Sequence, residues 1–206
     1  MARISRRLLL LPLLAATLAP APPAAAACLK AIFFDLGDTL VEAGGGGLFV
    51  LRAGAQDTVD QLQAAGLELG VITNVPPGWT REDLEAAMAQ PEFLDEFDVL
   101  VLSSQAPAPK PNPAIYTHAH GLLPTPVPIG ETAFVGELLS EIANSQTNPT
   151  SGARAAGMVG IHLSGAAPSP LADHTIATLA ALPPLAENLC AMFRDGFETG
   201  GTAQWQ

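Results

Sequence analysis

The chain has 206 residues and a formal net charge of −11 at neutral pH, with 9 Lys and Arg against 20 Asp and Glu. This acidic balance argues against nucleic acid or an anionic membrane as a partner, because both would repel the protein. The length is enough for one domain with a buried core.

The N-terminal segment, residues 1–27, has the pattern of a secretory signal peptide. Three arginines precede the almost wholly apolar stretch 8–18, and small residues suited to cleavage end at Ala27. Ser5-Arg6-Arg7 also resembles a twin-arginine signal, although the very apolar stretch favours the general export route. We predict a periplasmic or secreted protein, assuming a bacterial source, with no membrane span in the mature chain.

The two cysteines, Cys28 and Cys190, lie near opposite ends of the mature chain. An oxidising compartment favours a disulfide between them, which would join the tail to the first strand. Two free thiols are the alternative. A lipid-modified Cys28 is a third interpretation, which Ala25 disfavours because a lipoprotein signal usually has Leu there.

Strand and helix patterns alternate along the mature chain. Apolar runs predict strands at 29–34, 67–73, 97–102, 132–135 and 158–163. Apolar spacing and capping residues predict helices at 53–65, 80–88, 112–120 and 152–156. The Gly-rich stretch 41–50 is expected to be a flexible loop, and 143–151 to be an insertion. This alternation predicts an α/β domain with a doubly wound, mostly parallel sheet over residues 28–188, followed by a tail, 189–206.

Polar residues follow four of these strands or the loops beside them, and together they resemble a known family. The four stretches are Asp35-Leu36-Gly37-Asp38-Thr39, Val71-Ile72-Thr73-Asn74, Lys110-Pro111-Asn112-Pro113-Ala114-Ile115-Tyr116 and Phe134-Val135-Gly136-Glu137. Their order resembles the four motifs of the haloacid dehalogenase (HAD) superfamily over roughly residues 30–188. The resemblance implies a single Rossmann-like hydrolase domain, and the short intervals between the motifs leave no room for a large cap.

The resemblance implies phosphate-ester hydrolysis through a covalent intermediate on Asp35, which would be the nucleophile. The Thr73 hydroxyl and nearby backbone N–H groups, including that of Asn74, would hold phosphate oxygens. Lys110 would stabilise the transferring phosphoryl group and the nucleophile. The non-catalytic alternatives are a helix-capping role for Thr73 and a solvated surface position for Lys110.

The resemblance also implies a Mg²⁺ cofactor, with Asp35, the Gly37 carbonyl and Glu137 as oxygen ligands. Two departures put full activity in doubt. Gly37 stands where phosphatases of the family usually carry a general acid, and Asp38, the next residue, should point elsewhere. Glu137 stands where the family has Asp. Glu141, four residues further on, either orients Lys110 or a metal-bound water, or is a solvated side chain.

Three functions follow from these residues. The first is a Mg²⁺-dependent phosphomonoesterase acting on a phosphorylated substrate that the sequence does not identify. The second is a catalytically impaired HAD fold retained for binding, and the third a metal-independent dehalogenase. The four histidines show no metal-ligand spacing, and the oligomeric state and the role of the C-terminal Asp-Gly-Phe-Glu-Thr-Gly segment stay open.

Overall fold

The computed structural model describes residues 28–198, which form a six-stranded parallel sheet and a separate two-stranded hairpin. The strands are β1 (Ala31–Phe34), β2 (Val41–Ala43), β3 (Phe49–Leu51), β4 (Glu68–Thr73), β5 (Val99–Leu102), β6 (Thr132–Gly136), β7 (Val159–Leu163) and β8 (His174–Ile176). The helices are α1 (Ala55–Ala64), α2 (Arg81–Ala86), α3 (Pro113–His120), α4 (Leu139–Ile142), α5 (Ala153–Ala156) and α6 (Leu182–Glu198). The order across the sheet is β5-β4-β1-β6-β7-β8, which confirms the predicted doubly wound α/β fold.

Strand β1 lies at the centre of the sheet, paired in parallel with β4 on one side and β6 on the other. Its four residues are completely buried, as its unbroken apolar sequence predicts for a strand covered on both faces. Because side chains alternate along a strand, Phe34 joins one hydrophobic cluster, with α1 and α6, and Phe33 joins the other, with α3 and α5. The sheet thus has a core on each face.

Most predicted elements are present with slightly shorter bounds. Helix α2 begins after Thr80, whose side chain and that of Asp83 form the reciprocal capping bonds expected from the sequence. Helix α3 begins with Pro113, and the side chain of Asn112 caps it. Helix α5 follows Gly152, where φ is +82° and an added Cβ would lie 2.5 Å from the Ile142 backbone, so only glycine fits.

The Gly-rich stretch is better ordered than the sequence predicts. Instead of a flexible loop, residues 41–51 form an antiparallel hairpin of β2 and β3, closed by a short turn at Gly45–Gly47. The hairpin is fixed to the end of α2, because Phe49 exchanges backbone hydrogen bonds with Ala87 and Ala89. The expectation of a loop is therefore wrong for most of this segment.

At the C-terminal end, α6 continues past the predicted boundary at residue 188 and runs to Glu198. A disulfide joins Cys28 to Cys190, so the predicted pairing is confirmed, and the alternative of two free thiols is wrong. The predicted signal peptide, 1–27, and residues 199–206 of the tail lie outside the described residues. No helix within residues 28–198 is both long and apolar enough to cross a membrane.

Candidate active site

Asp35 directly follows β1, at the carboxyl edge of the sheet where open α/β folds bind ligands. Its backbone N–H donates to the Val135 carbonyl at 2.8 Å, which continues the pairing of β1 with β6. The side chain is buried, and its Oδ1 accepts a hydrogen bond from the Leu36 N–H at 2.7 Å. The other carboxylate oxygen, Oδ2, accepts no hydrogen bond from the part of the chain that the structure describes.

Lys110 lies in the loop before α3 and reaches the same edge of the sheet, with only 5% of the residue exposed. Its Nζ lies 2.5 Å from Asp35 Oδ1 and 2.8 Å from Glu141 Oε2. The ammonium group also lies 5.4 Å from the centre of the Phe134 ring. The structure thus brings Asp35 and Lys110 together, and the alternative of a solvated lysine is wrong.

Asn74 holds the backbone of Lys110 with both ends of its side-chain amide. Its Oδ1 accepts from the Lys110 N–H at 2.9 Å, and its Nδ2 donates to the Lys110 carbonyl at 3.1 Å. The side chain of Asn74 is therefore occupied with the lysine loop, which leaves its backbone N–H, the group expected to hold phosphate, for a ligand. Thr73, at the end of β4, is buried, and no described residue hydrogen-bonds its hydroxyl.

Glu141 is buried in α4 beside Lys110, so the alternative of a solvated glutamate is wrong. The hydroxyl of Tyr116 donates to the Glu141 backbone carbonyl at 2.9 Å, and the Tyr116 ring packs edge-to-face on Phe134. The sequence raised Glu141 as a partner for Lys110, and the structure confirms this contact. The role of Tyr116 in fixing α4 was not predicted, because a tyrosine on a helix is most simply explained as core packing.

Glu137 follows β6, beside the end of β1. Its Oε2 accepts a hydrogen bond from the Thr39 hydroxyl at 2.8 Å, and its backbone carbonyl oxygen lies 3.0 Å from Nε2 of His162. Sequence reasoning missed both partners. In the sequence, Thr39 is only the last residue of the first motif. His162 lies 26 residues after the end of β6, and its distance from the motifs does not indicate a site.

Asp38, the suggested replacement for a missing acid, is exposed and has a positive φ of 52°. Its backbone carbonyl accepts a hydrogen bond from the Arg52 guanidinium. The structure therefore does not bring the Asp38 side chain into contact with Asp35, in agreement with the expectation that it points elsewhere. At Gly37, the preceding residue, an added Cβ would meet no atom within 4 Å.

The electrostatics of the site are dominated by buried carboxylates. The pKa of Asp35 is raised from 3.8 to about 7: burial raises it most, Lys110 lowers it, and Glu141 and Glu137 also raise it. Burial likewise raises the pKa of Glu141, against the opposing effect of Lys110. The ammonium of Lys110 contacts Asp35 and Glu141, and Glu137 adds a third carboxylate near Asp35, which leaves the site with an excess of negative charge when all are ionised.

Comparisons with known proteins agree with this geometry. A family model described as haloacid dehalogenase-like hydrolase matches residues 47–147, a range that contains Thr73, Lys110 and Glu137 and begins after Asp35. The match covers just under half of the chain, and over that range the chain is similar to these hydrolases. A comparison with curated proteins finds no match.

Solved structures of the superfamily share the HAD fold. An HAD phosphatase from Thermococcus onnurineus is 18% identical, with a TM-score of 0.59, and the alignment covers 76% of this chain and 97% of that one. An L-2-haloacid dehalogenase from Xanthobacter autotrophicus, solved with chloropropionic acid covalently bound, is 15% identical, with a TM-score of 0.59 and coverages of 77% and 98%. An HAD-superfamily hydrolase from Ehrlichia chaffeensis is 15% identical, with a TM-score of 0.59 and coverages of 78% and 97%. The structural similarity shows a shared fold and, at such low identity, nothing beyond the fold. Both phosphatases and dehalogenases have this fold.

Three of the four histidines make no described contact with Asp35, Glu137 or Glu141. His118 and His120 are half-buried on α3, and His120 Nε2 lies 2.7 Å from the Val127 carbonyl oxygen. His174 is half-buried on β8, at the edge of the sheet. Among the four histidines, all within residues 28–198, His162 is the one whose ring hydrogen-bonds a predicted site residue, Glu137.

Proposed function

We propose that the protein is a Mg²⁺-dependent phosphomonoester hydrolase that acts through a covalent aspartyl-phosphate on Asp35. The observation that carries the proposal is the charge balance of the site. The buried ammonium of Lys110 contacts two carboxylates, those of Asp35 and Glu141, and a third, that of Glu137, lies near enough to raise the pKa of Asp35. A divalent cation offsets the excess negative charge, and it thereby keeps Asp35 ionised, as a nucleophile must be.

The donor set fits Mg²⁺, which prefers oxygen ligands and retains several waters. Asp35 Oδ2, Glu137 Oε1 and the Gly37 carbonyl oxygen accept no hydrogen bond from residues 28–198, so they are open to a cation. The described chain contains no group of three or more His, Cys, Asp and Glu side chains with metal-ligand spacing. A Mg²⁺ site of two carboxylates, one carbonyl and waters does not require one. The bound cation would supply positive charge to the phosphoryl oxygens.

The chain's own residues account for both halves of the reaction. The Asp35 carboxylate forms a bond to phosphorus, the bond between phosphorus and the ester oxygen breaks, and the departing oxygen takes a proton from water, because Gly37 supplies none. A second water then attacks phosphorus and gives its proton to the hydroxide left by the first step, the bond to Asp35 breaks, and inorganic phosphate leaves. Lys110 holds Asp35 and stabilises the negative charge of the phosphoryl group, with Thr73 and backbone N–H groups as further donors.

A metal-independent dehalogenase is the competing enzyme, since the Xanthobacter autotrophicus structure has chloropropionic acid covalently bound. That reaction also needs an ionised aspartate, but it must keep the carboxylate ionised without a cation. The pKa of about 7 for Asp35, raised by burial and by Glu141 and Glu137, disfavours this reading. A binding protein without turnover is the second competitor, and the lack of a carboxyl group at Gly37 favours it.

We also propose that the protein is exported and that its site is open. The basic and apolar pattern of residues 1–27 and the Cys28–Cys190 disulfide support an oxidising compartment. The disulfide uses the sulfur atom that a lipid anchor on Cys28 would need. Within the described chain, the interval between Asp35 and α1 contains only the β2–β3 hairpin, which supports an HAD domain without a large cap.

One assay series separates the three functions. The purified protein is incubated with an aryl phosphate in the presence of Mg²⁺ and, in parallel, with excess chelator, and phosphate release is measured. Release that requires Mg²⁺ and disappears in Asp35→Asn supports the proposal. Halide release from 2-chloropropionate that persists in chelator contradicts it in favour of a dehalogenase, and no turnover on a broad phosphate panel contradicts it in favour of a binding protein.

A further inference from the structure

The side chain of Glu137 is held by a buried hydroxyl from the first motif. Thr39 is completely buried in the turn that follows Asp35, and its Oγ1 donates a hydrogen bond to Glu137 Oε2 at 2.8 Å. A hydrogen bond to a carboxylate is stronger than one between neutral groups, and burial protects it from competing water. One oxygen of the carboxylate is therefore fixed on Thr39, while the other, Oε1, stays open.

The main chain of Glu137 is held from the other side. His162 lies on β7, paired with Gly136, and only 7% of the residue is exposed. Its Nε2 is 3.0 Å from the Glu137 carbonyl oxygen, and because a carbonyl only accepts, Nε2 must carry the hydrogen. In the neutral ring Nδ1 then has no proton, and it has no hydrogen-bond partner among the described residues. His162 thus makes its one described hydrogen bond with Glu137.

We propose that Thr39 and His162 are positioning residues for Glu137. They allow a glutamate to bind Mg²⁺ at the position where the HAD motif has an aspartate. The glutamate side chain is one methylene longer and has one more rotatable bond, so an unrestrained carboxylate would adopt several positions. Thr39 holds Oε2 of Glu137 by a hydrogen bond, and His162 fixes the Glu137 backbone. The other carboxylate oxygen, Oε1, is then left free beside Asp35. This inference rests on the proposed Mg²⁺-dependent function.

The test measures Mg²⁺ binding to the purified protein by calorimetry, alongside phosphatase kinetics. Thr39→Val removes the hydroxyl with little change in shape, and His162→Leu removes the ring donor. We expect each to weaken Mg²⁺ binding about tenfold or more, the usual effect of losing a group that orients a metal ligand. Because these residues act through Glu137, the substitutions should change kcat at saturating Mg²⁺ much less than they change the Mg²⁺ concentration needed for half-maximal activity. Thr39→Ser and His162→Gln keep a donor and should restore most of the affinity.

Two matched controls make the same chemical changes away from the site. Thr58, on α1, is also buried, but its hydroxyl has no hydrogen-bond partner within residues 28–198, so Thr58→Val should leave Mg²⁺ binding unchanged. His120 makes an equivalent ring-to-carbonyl contact, with Val127, and His120→Leu should likewise leave it unchanged. Urea unfolding of every variant identifies any that is too unstable to interpret, and Thr39→Ala and His162→Met then replace it.

A double-mutant cycle tests whether Thr39 is needed because Glu137 is one methylene longer than the aspartate of the motif. In the Glu137→Asp background the carboxylate is too short to be drawn back onto Thr39, so adding Thr39→Val should change Mg²⁺ affinity less than about twofold. An equal loss in both backgrounds, or no loss in the natural one, overturns the inference and leaves the proposed function intact. A natural protein with neither Mg²⁺ binding nor Mg²⁺-dependent turnover overturns both.

Discussion

Replacing Gly37 by aspartate should supply the general acid that the first motif lacks. The position tolerates a side chain, because an added Cβ meets no atom within 4 Å and the backbone is not in the positive-φ region. The cost of the substitution is therefore electrostatic rather than steric. We expect Gly37→Asp to fold and to hydrolyse esters with poor leaving groups faster than the natural protein.

The magnitude follows from two opposing effects. A positioned acid typically contributes 10²- to 10⁴-fold, and the lower value corresponds to about 2.7 kcal/mol. The new carboxyl lies two residues from Asp35, or about 7 Å along extended backbone, where two negative charges repel by about 2 kcal/mol at an effective dielectric constant of 20. That repulsion raises the pKa of the new carboxyl above its ordinary value, so more of it stays protonated as the pH rises.

The assay compares an alkyl phosphate with 4-nitrophenyl phosphate at saturating Mg²⁺. The alkoxide needs a proton as it leaves, whereas nitrophenolate barely does, so kcat for the alkyl ester should rise by up to about 100-fold and that for the aryl ester by far less. The gain should be largest at acid pH, where the new carboxyl is protonated, and fall as the pH rises and this carboxyl ionises. A variant that folds and binds Mg²⁺ but gains nothing on the alkyl ester refutes the reasoning, and shows that the proton comes from elsewhere.

Three further predictions test the charges and the disulfide. Lys110→Met leaves Asp35 and Glu141 facing each other without their ammonium, so it should raise the pKa of Asp35 further and reduce turnover at least about 10²-fold, as measured by a pH–rate profile. In chelator, folded Asp35 keeps its proton to about pH 7 but unfolded Asp35 loses it near 3.8, so this group's contribution to stability is lost as pH rises between these values. The free energy of unfolding should fall there by up to about 4 kcal/mol more than in Asp35→Asn, and an equal pH dependence by urea titration would contradict this. Reducing the Cys28–Cys190 disulfide, which spans 162 residues, should cost about 2–5 kcal/mol, and a Cys28→Ser, Cys190→Ser variant should show no response to reductant.

The order of the elements and the place of the site could be predicted because both depend on local patterns. A buried parallel strand is an unbroken apolar run, and the residue after it must lie at the carboxyl edge, so Asp35 and Thr73 were placed by their own neighbours in sequence. Lys110 and Glu141 needed the resemblance as well. Neither is on a strand, and only the folded chain brings their side chains within contact.

The parts that could not be predicted depend on contacts between distant segments. The β2–β3 hairpin has three-residue strands joined through four glycines, a sequence that favours a loop until Phe49 pairs with the end of α2. The contact of His162 with Glu137 exists only because β7 lies next to β6 in the sheet. The hydrogen bonds between the side-chain amide of Asn74 and the backbone of Lys110 join positions 36 residues apart, so no local pattern indicates them.

The position of the disulfide determines from which face of the protein a tag or a surface linker extends. Cys28 and Cys190 line a groove of about 740 Å³ together with Lys30 and Leu67, which directly precede β1 and β4. This groove is at the amino ends of the strands, so the sheet lies between it and Asp35. An affinity tag or a surface linker attached at Cys28 therefore starts from the face of the molecule opposite Asp35. If the proposed phosphatase function is right, protein tethered at this point should hydrolyse bulky or immobilised phosphate esters as well as the free protein does.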